Sequence, residues 1–284
     1  MIPRTDMTFL YIISGLILIC AVLFGLWVLL IMPGRGKQTA NELKDVHFFA
    51  HRGLHDKPRI PENSLAAFSR AKENGLGSEL DVHLCKDGKL IVMHDESLKR
   101  TCSRDLMICE LTADELKGIF LEGTEEKIPL LSEVLALYSG DYPLIIELKP
   151  YRGNHKELTD AAVKMLRTYN GRYCIESFDP RVLLRLKKTA PHIVRGQLSA
   201  RLNKGGAKLF FLVNFILSNM LANFFTQPDF IAYNICDIKC ASLRLIKKLY
   251  HPPLFYWTVR SKSEQSAAEK DGGAIIFENF DPRN

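Results

Sequence analysis

Residues able to carry chemistry stand at the ends of short apolar runs. His51-Arg52-Gly53 closes the run His47-Phe48-Phe49-Ala50. The C-terminal end of a barrel strand is where barrel enzymes place catalytic side chains. Glu79 and Asp81 flank Leu80; residues i and i+2 of a strand share a face, so both carboxylates converge on one point. Two converging carboxylates repel unless a cation or a proton sits between them. Glu147 closes Leu144-Ile145-Ile146, and Lys149 follows two positions on. Three carboxylates are hard oxygen donors, which select Mg²⁺, Ca²⁺ or Mn²⁺ over zinc. A hard cation with Arg52 and Lys149 suits a phosphate ester, whose oxygens carry charge to be neutralised. His51 and His94 then divide the proton transfers, one as base and one as acid.

The second histidine is brought in by a hairpin. Lys86-Asp87-Gly88-Lys89 centres on Asp-Gly, the signature of a two-residue turn. Pairing outward from it sets Leu84 opposite Ile91, Val82 opposite Met93, and Asp81 opposite His94. An acid and a histidine therefore meet at its open end.

The elements that position these groups alternate. Candidate strands are Val46–Ala50, Ser78–Leu84, Leu144–Glu147, Tyr173–Ser177, Ile193–Gln197, Phe230–Tyr233, Leu254–Val259 and Ala274–Phe277. Candidate helices include Ser64–Asn74, Ser132–Tyr138, Lys156–Tyr169, Pro180–Thr189, Ala241–Tyr250 and Ser263–Lys270. Eight strands separated by helices indicate a parallel sheet closed into an α/β barrel, with the hairpin inserted after strand 2. An open doubly wound sheet is the competing arrangement, but no glycine-rich dinucleotide or P-loop fingerprint supports it. Residues 46–284 form the barrel domain, close to the roughly 250 residues of a (β/α)₈ barrel.

From Thr8 to Met32 the chain carries no charge. That is long enough to span a bilayer as a tilted helix. It exceeds the apolar region of a cleaved signal peptide and ends on Met32-Pro33-Gly34 without a small-residue cleavage pattern. Residues 1–32 are therefore expected to hold a single transmembrane helix, with 33–45 as linker. Arg35, Lys37 and Lys44 outnumber Arg4, which favours a cytoplasmic catalytic domain at the cell membrane. Seven scattered cysteines without a CxxC pair exclude a zinc ribbon or a disulfide scaffold. The net charge of +6 is too dispersed to argue for nucleic acid. Oligomeric state is not legible.

In order along the chain stand His51-Arg52-Gly53, Pro61-Glu62-Asn63-Ser64, Glu79-Leu80-Asp81-Val82, Lys86-Asp87-Gly88 with Met93-His94-Asp95, Ile128-Pro129-Leu130-Leu131, Glu147-Leu148-Lys149 and Ser177-Phe178. This ordered set resembles the signature of the glycerophosphodiester phosphodiesterase family over roughly residues 46 to 280. The resemblance implies a TIM (β/α)₈ barrel that hydrolyses glycerophosphodiesters to sn-glycerol 3-phosphate and an alcohol. It also implies that Glu79, Asp81 and Glu147 hold the divalent metal and that His51 and His94 are the acid/base pair. Arg52 and Lys149 would contact the phosphate, Glu62 would support the metal shell or the glycerol, and Trp257 matches an aromatic beside the substrate. One departure stands out: the last strand runs into Glu278-Asn279-Phe280 rather than a Thr-Asp-Pro-like ending, which bears on the glycerol-side contacts.

From Leu209 to Pro228 run 20 residues without a charge. A single crossing there would put later strands across the bilayer from earlier ones, and the barrel could not close. An interfacial helix within an insertion of about 205–228 is expected instead, facing the lipid bilayer. Eight basic residues and no acid lie between Arg181 and Lys208, which suits an anionic leaflet. This surface keeps open a lysophospholipase D acting on membrane lysophospholipids. A reading of another class is a catalytically silent phosphodiester-binding membrane protein, which the retained histidines and acids oppose.

Overall fold

The computed structural model describes residues 4–34, 43, 46–201 and 211–284. Arg35, Lys37, Lys44, Lys208 and Leu209, named above, lie outside them, as do Lys204 of the basic run and Phe210 of the uncharged one. The chain opens with α1 (Arg4–Leu30), then β1 (Phe48–Ala50), α2 (Leu65–Glu73), β2 (Gly77–Leu84) and β3 (Leu90–Val92). Two short helices follow, α3 (Lys99–Cys102) and α4 (Ala113–Leu116), before α5 (Leu131–Tyr138), β4 (Leu144–Leu148), α6 (His155–Leu166), β5 (Tyr173–Ser177) and α7 (Pro180–Thr189). The second half holds β6 (Arg195–Ser199), α8 (Phe211–Ser218), α9 (Asn223–Thr226), β7 (Phe230–Asn234), α10 (Ala241–Tyr250), β8 (Leu254–Val259), α11 (Lys262–Lys270) and β9 (Ala274–Phe277).

Eight parallel strands close on themselves in the order β1-β9-β8-β7-β6-β5-β4-β2, with β1 also paired to β2. Strand β3 adds antiparallel to β2 as a flap outside the ring. The strands are buried on both faces, so they read as apolar runs: Leu144, Ile145, Ile146 and Leu148 of β4 are wholly inaccessible. Phe49, Ile145, Phe230, Phe255 and Ile276 fill the inner part of the barrel. Below the mouth the barrel is therefore a packed core, and the polar groups are confined to its upper end.

The hairpin departs from the expected register by one residue. Val82 faces Val92 and Leu84 faces Leu90, and Met93, not His94, lies against Asp81, whose carbonyl accepts the Met93 N–H at 3.0 Å. The cause is the turn. Gly88 N–H closes onto Cys85 C=O at 3.0 Å and Gly88 takes φ +77°, giving a three-residue loop with a left-handed glycine in place of a two-residue turn. Asp87 adds a clamp by accepting from the Ala113 N–H at 3.1 Å.

Residues 95–130, unassigned by periodicity, fold into a satellite layer around Met93, Leu98, Ile108, Leu116 and Ile128. Its one local signature is Thr112-x-x-Glu115, a reciprocal capping box that starts α4. The uncharged insertion breaks at Met220, which adopts φ +55°. Among the described residues α8 spans eight, about 12 Å of helix at 1.5 Å per residue, less than a bilayer crossing needs. The basic run before it is not one solvated face. Arg195 is buried, pairs with Asp229 and donates to the Thr226 and Gln227 carbonyls, so it is a packing element rather than a membrane contact.

Candidate active site

The mouth is assembled from strand ends. In register, Asp81 of β2 lies beside Glu147 of β4, and Glu147 beside Glu176 of β5. Three carboxylates thus stand at one height on adjacent strands, with Glu79 one step below on β2. Donor oxygens of Glu79, Asp81 and Glu147 all lie within 4.8 Å of one another, and all three residues are buried. This is the convergence expected from the i, i+2 spacing.

Burial and mutual repulsion set the charge state of this cluster. Burial first, then the Asp81 and Glu147 charges, hold the Glu79 carboxyl well above its ordinary value. Burial raises Glu147 to about 7, against the opposing pull of Lys149. Asp81 goes the other way: burial resists, but Lys149, His94 and Arg52 together hold it below the usual carboxylate range. Lys149 Nζ donates to Asp81 at 3.1 Å and stands 3.6 Å from Glu147. Asn63, itself at φ +57°, donates to Asp81 at 2.8 Å. A cluster that must stay partly protonated to coexist, with one Glu176 oxygen lacking any partner among the described residues, has the donor chemistry of a hard cation site.

His51 follows β1, where its N–H bonds the Phe277 carbonyl at 2.9 Å. Its Nδ1–H donates to Glu278 at 2.6 Å, which leaves Nε2 facing the cluster, 4.0 Å from Glu79. Burial lowers the imidazole to about 4 despite the Glu278 bond. Arg52 turns the chain in a left-handed conformation, φ +55°, followed by Gly53 at φ +77°. A side chain at Gly53 would meet Ala67 at 2.8 Å, so the turn needs glycine both for its angle and for its closeness to α2. The turn aims the Arg52 N–H at Glu79, 3.1 Å away, and its guanidinium at Glu62 and Asp81.

His94 sits beyond β3. Its Nδ1–H donates to Asp95 at 2.5 Å, and Asp95 in turn accepts from Arg100 Nε at 2.5 Å. The His94 carbonyl is pinned by buried His83 at 3.1 Å. The one-residue slip therefore leaves His94 on the cavity it was expected to reach.

A small cavity of about 50 Å³ gathers His51, Arg52, Glu79, His94, Glu147, Lys149 and Trp257, with Glu176, Phe178, Leu198 and Ile276. Trp257 packs edge-on against Phe178 at 5.6 Å, and its indole N–H has no partner among the described residues. Glu62 is placed differently. Arg52, Arg100 and Lys57 occupy its carboxylate at 2.8, 2.6 and 2.9 Å, so it orients Arg52 instead of joining the acidic cluster. It lines a larger neighbouring cleft of about 690 Å³ that shares His51 and Arg52 with the site. That cleft lacks the acidic triad, and the chemistry belongs to the smaller cavity.

Sequence reasoning passed over several contributors. Glu278, singled out only as a departure bearing on the glycerol side, is the partner of His51. Asp95 was legible beside His94, and Glu176 becomes so once β4 and β5 are aligned in register. Arg100 comes from the irregular 95–130 layer, which offers no periodic signal.

Comparison with known proteins identifies the family and the fold. The model of the "Glycerophosphoryl diester phosphodiesterase family" matches residues 51–277. A "Glycerophosphodiester phosphodiesterase" of Caldanaerobacter subterraneus subsp. tengcongensis is 39% identical over 159 residues, covering 52% of this chain and 65% of that protein. One from Bacillus altitudinis is 35% identical over 51% of this chain and 63% of its own length. The chain thus spans a little under two thirds of these relatives. Among solved structures, an Oleispira antarctica phosphodiesterase in complex with the product sn-glycerol-3-phosphate superposes with TM-score 0.66 at 23% identity, over 84% of this chain and 94% of that one. A glycerophosphodiester phosphodiesterase from Thermotoga maritima gives TM-score 0.63 at 26% identity, over 82% and 94%.

Proposed function

The chain belongs to the glycerophosphoryl diester phosphodiesterase family, and on that premise we propose that it is a metal-dependent phosphoric diester hydrolase. It converts glycerophosphodiesters to sn-glycerol 3-phosphate and an alcohol. The observation that carries this reading is the convergence of Glu79, Asp81 and Glu147 within 4.8 Å, beside two histidines. These three carboxylates would hold Mg²⁺, Ca²⁺ or Mn²⁺, and such a cation polarises a phosphoryl oxygen and offsets its developing charge.

The remaining roles fall to the protein's own groups. Arg52 and Lys149 bind the phosphate oxygens. Buried His51 is neutral at physiological pH, so Nε2 is free to accept a proton while Glu278 holds the ring and its tautomer. His94 takes the opposite part: Asp95, braced by Arg100, fixes its ring through Nδ1, and His94 protonates the leaving alkoxide. Trp257 and Phe178 wall off the cavity and offer an indole N–H to the substrate. Glu62 acts through Arg52.

Phe9–Leu30, with mean hydropathy 2.8, is long and apolar enough to span a membrane. We read it as the anchor, with the basic excess after it favouring a cytoplasmic domain. The test uses the full chain stripped with EDTA and supplied with glycerophosphoethanolamine, with lysophosphatidylethanolamine in parallel. Release of sn-glycerol 3-phosphate on adding Mg²⁺, Ca²⁺ or Mn²⁺ is the expected result. No turnover by folded protein with any of the three would overturn the reading, and release of lysophosphatidic acid alone would shift it to lipid substrates.

A further inference from the structure

The end of α1 is built into the barrel. Trp27 and Val28 are half-buried and Ile31 is wholly buried, and Trp27 and Ile31 pack in one cluster with Met220, Leu243 and Ile246. Polar bonds lock the packing. Trp27 Nε1 donates to Ser242 Oγ at 3.2 Å, Ser242 donates to Asn219 at 2.9 Å, and Asn219 donates to the Phe215 carbonyl inside α8 at 2.9 Å. Tyr250 donates to the Val28 carbonyl at 2.7 Å, and Asn223 to the Ile31 carbonyl at 3.2 Å. The Gly34 N–H reaches the Pro228 carbonyl at 2.8 Å. A flexible tether makes no such contacts.

These contacts have a direction. Barrel helices run opposite to the strands, so Ser242, near the start of α10, lies toward the mouth, and Tyr250, at its end, lies toward the base. Pro228 precedes β7 and is also at the base. From Trp27 to Gly34 the chain therefore descends from the mouth side to the base. Traced backward, the uncharged segment leaves the barrel on the mouth side.

A second observation points the same way. Helix α8 follows the mouth end of β6, and its own end is tied down by Ser199 to the Leu217 carbonyl at 2.8 Å and by Tyr233 to the Ser218 carbonyl at 3.1 Å. Yet Phe211, Leu212 and Phe215 are 79%, 63% and 51% exposed. Side chains of this size exposed together on a fixed helix need a partner.

We propose that the docked end of α1 is a strut that holds the barrel with its mouth toward the bilayer and seats Phe211, Leu212 and Phe215 of α8 in the lipid interface. The occupant of that face is lipid, because the Trp27–Ser242–Asn219 chain joins α8 to a segment that is long and apolar enough to span. The inference rests on reading α1 as the anchor, and it needs no turnover to be tested.

The full chain is placed in phosphatidylcholine–phosphatidylglycerol vesicles, with Cys20, Cys102, Cys109 and Cys236 replaced by serine. An environment-sensitive fluorophore goes on Leu212→Cys, or on Thr168→Cys at the base. A nitroxide-bearing lipid is expected to quench the Leu212 probe at least threefold more than the Thr168 probe, and aqueous iodide to do the reverse. Trp27→Phe, which keeps the ring and removes the N–H, is expected to raise iodide access at position 212 at least twofold. Equal iodide quenching at both positions overturns the proposal. So does a Leu212 probe shielded from both quenchers, which would assign the face to a second copy of the chain. Because the readout is depth and not product, its failure is distinct from failure of the hydrolase reading.

Discussion

The two histidines occupy corners that look alike on paper and differ in water. Each presents Nδ1 to a carboxylate, Glu278 at 2.6 Å and Asp95 at 2.5 Å. The His51 side chain is 11% exposed and that of His94 is 31% exposed. Burial outweighs the carboxylate at His51 and holds it neutral. At the hairpin the acid is itself braced by Arg100, and the ring is wetter. The same Nδ1–carboxylate pair therefore stands in a dry corner at His51 and in a wetter, arginine-braced one at His94, and at His51 burial outweighs the partner in setting the charge.

The largest effect that sharpens this contrast comes from the cluster both histidines serve. Glu147→Gln is expected to lower kcat by about 10³-fold or more, since under the proposed function it removes one of the three carboxylates that would hold the cation. Its proton also reports on the cation. Because the folded-state value, about 7, lies above the ordinary 4.5, the metal-free fold binds more protons than the unfolded chain between those values. Its stability should fall as pH rises through that window. Adding Mg²⁺ should release protons near pH 6, and its apparent affinity should climb toward pH 7, measured by calorimetry in two buffers of different ionisation enthalpy.

Smaller effects separate the two carboxylates. Glu278→Gln removes the group that fixes the His51 tautomer and is expected to cost about 10–100-fold in kcat with little change in KM. Asp95→Asn removes the brace from the more exposed ring and should cost less in kcat than Glu278→Gln. Steady-state kinetics of the two variants check this: equal losses would remove the distinction drawn between the corners. The smallest effect tests the hairpin. Gly88 at φ +77° has nothing within 4 Å of an added Cβ, so Gly88→Ala should cost only the backbone penalty, about 1 kcal/mol, and lower Tm by roughly 2–4 °C.

The barrel was legible because its strands, apolar on both faces, interrupt helical stretches, and the acidic cluster because i, i+2 spacing on a strand fixes direction. Partners drawn from different strand ends were not. Glu278 meets His51 only when β9 closes on β1, a contact that no local pattern announces. The hairpin register was misjudged because Asp-Gly serves both a two-residue turn and a three-residue loop, and the Cys85–Gly88 bond decides between them. The docking of Trp27 was hidden by composition: within an uncharged run, a tryptophan bound to the barrel reads like one that faces lipid.

The division of labour at the mouth is tested most directly by leaving-group dependence. His51→Ala and His94→Ala, each of which should cost about 10²–10⁴-fold on an alkyl glycerophosphodiester, are assayed with a glycerophosphodiester carrying a nitrophenyl leaving group. Nitrophenolate needs no protonation to depart, so His94→Ala should recover most of its lost activity while His51→Ala should not. Equal recovery by both variants, or recovery by His51→Ala alone, would contradict it.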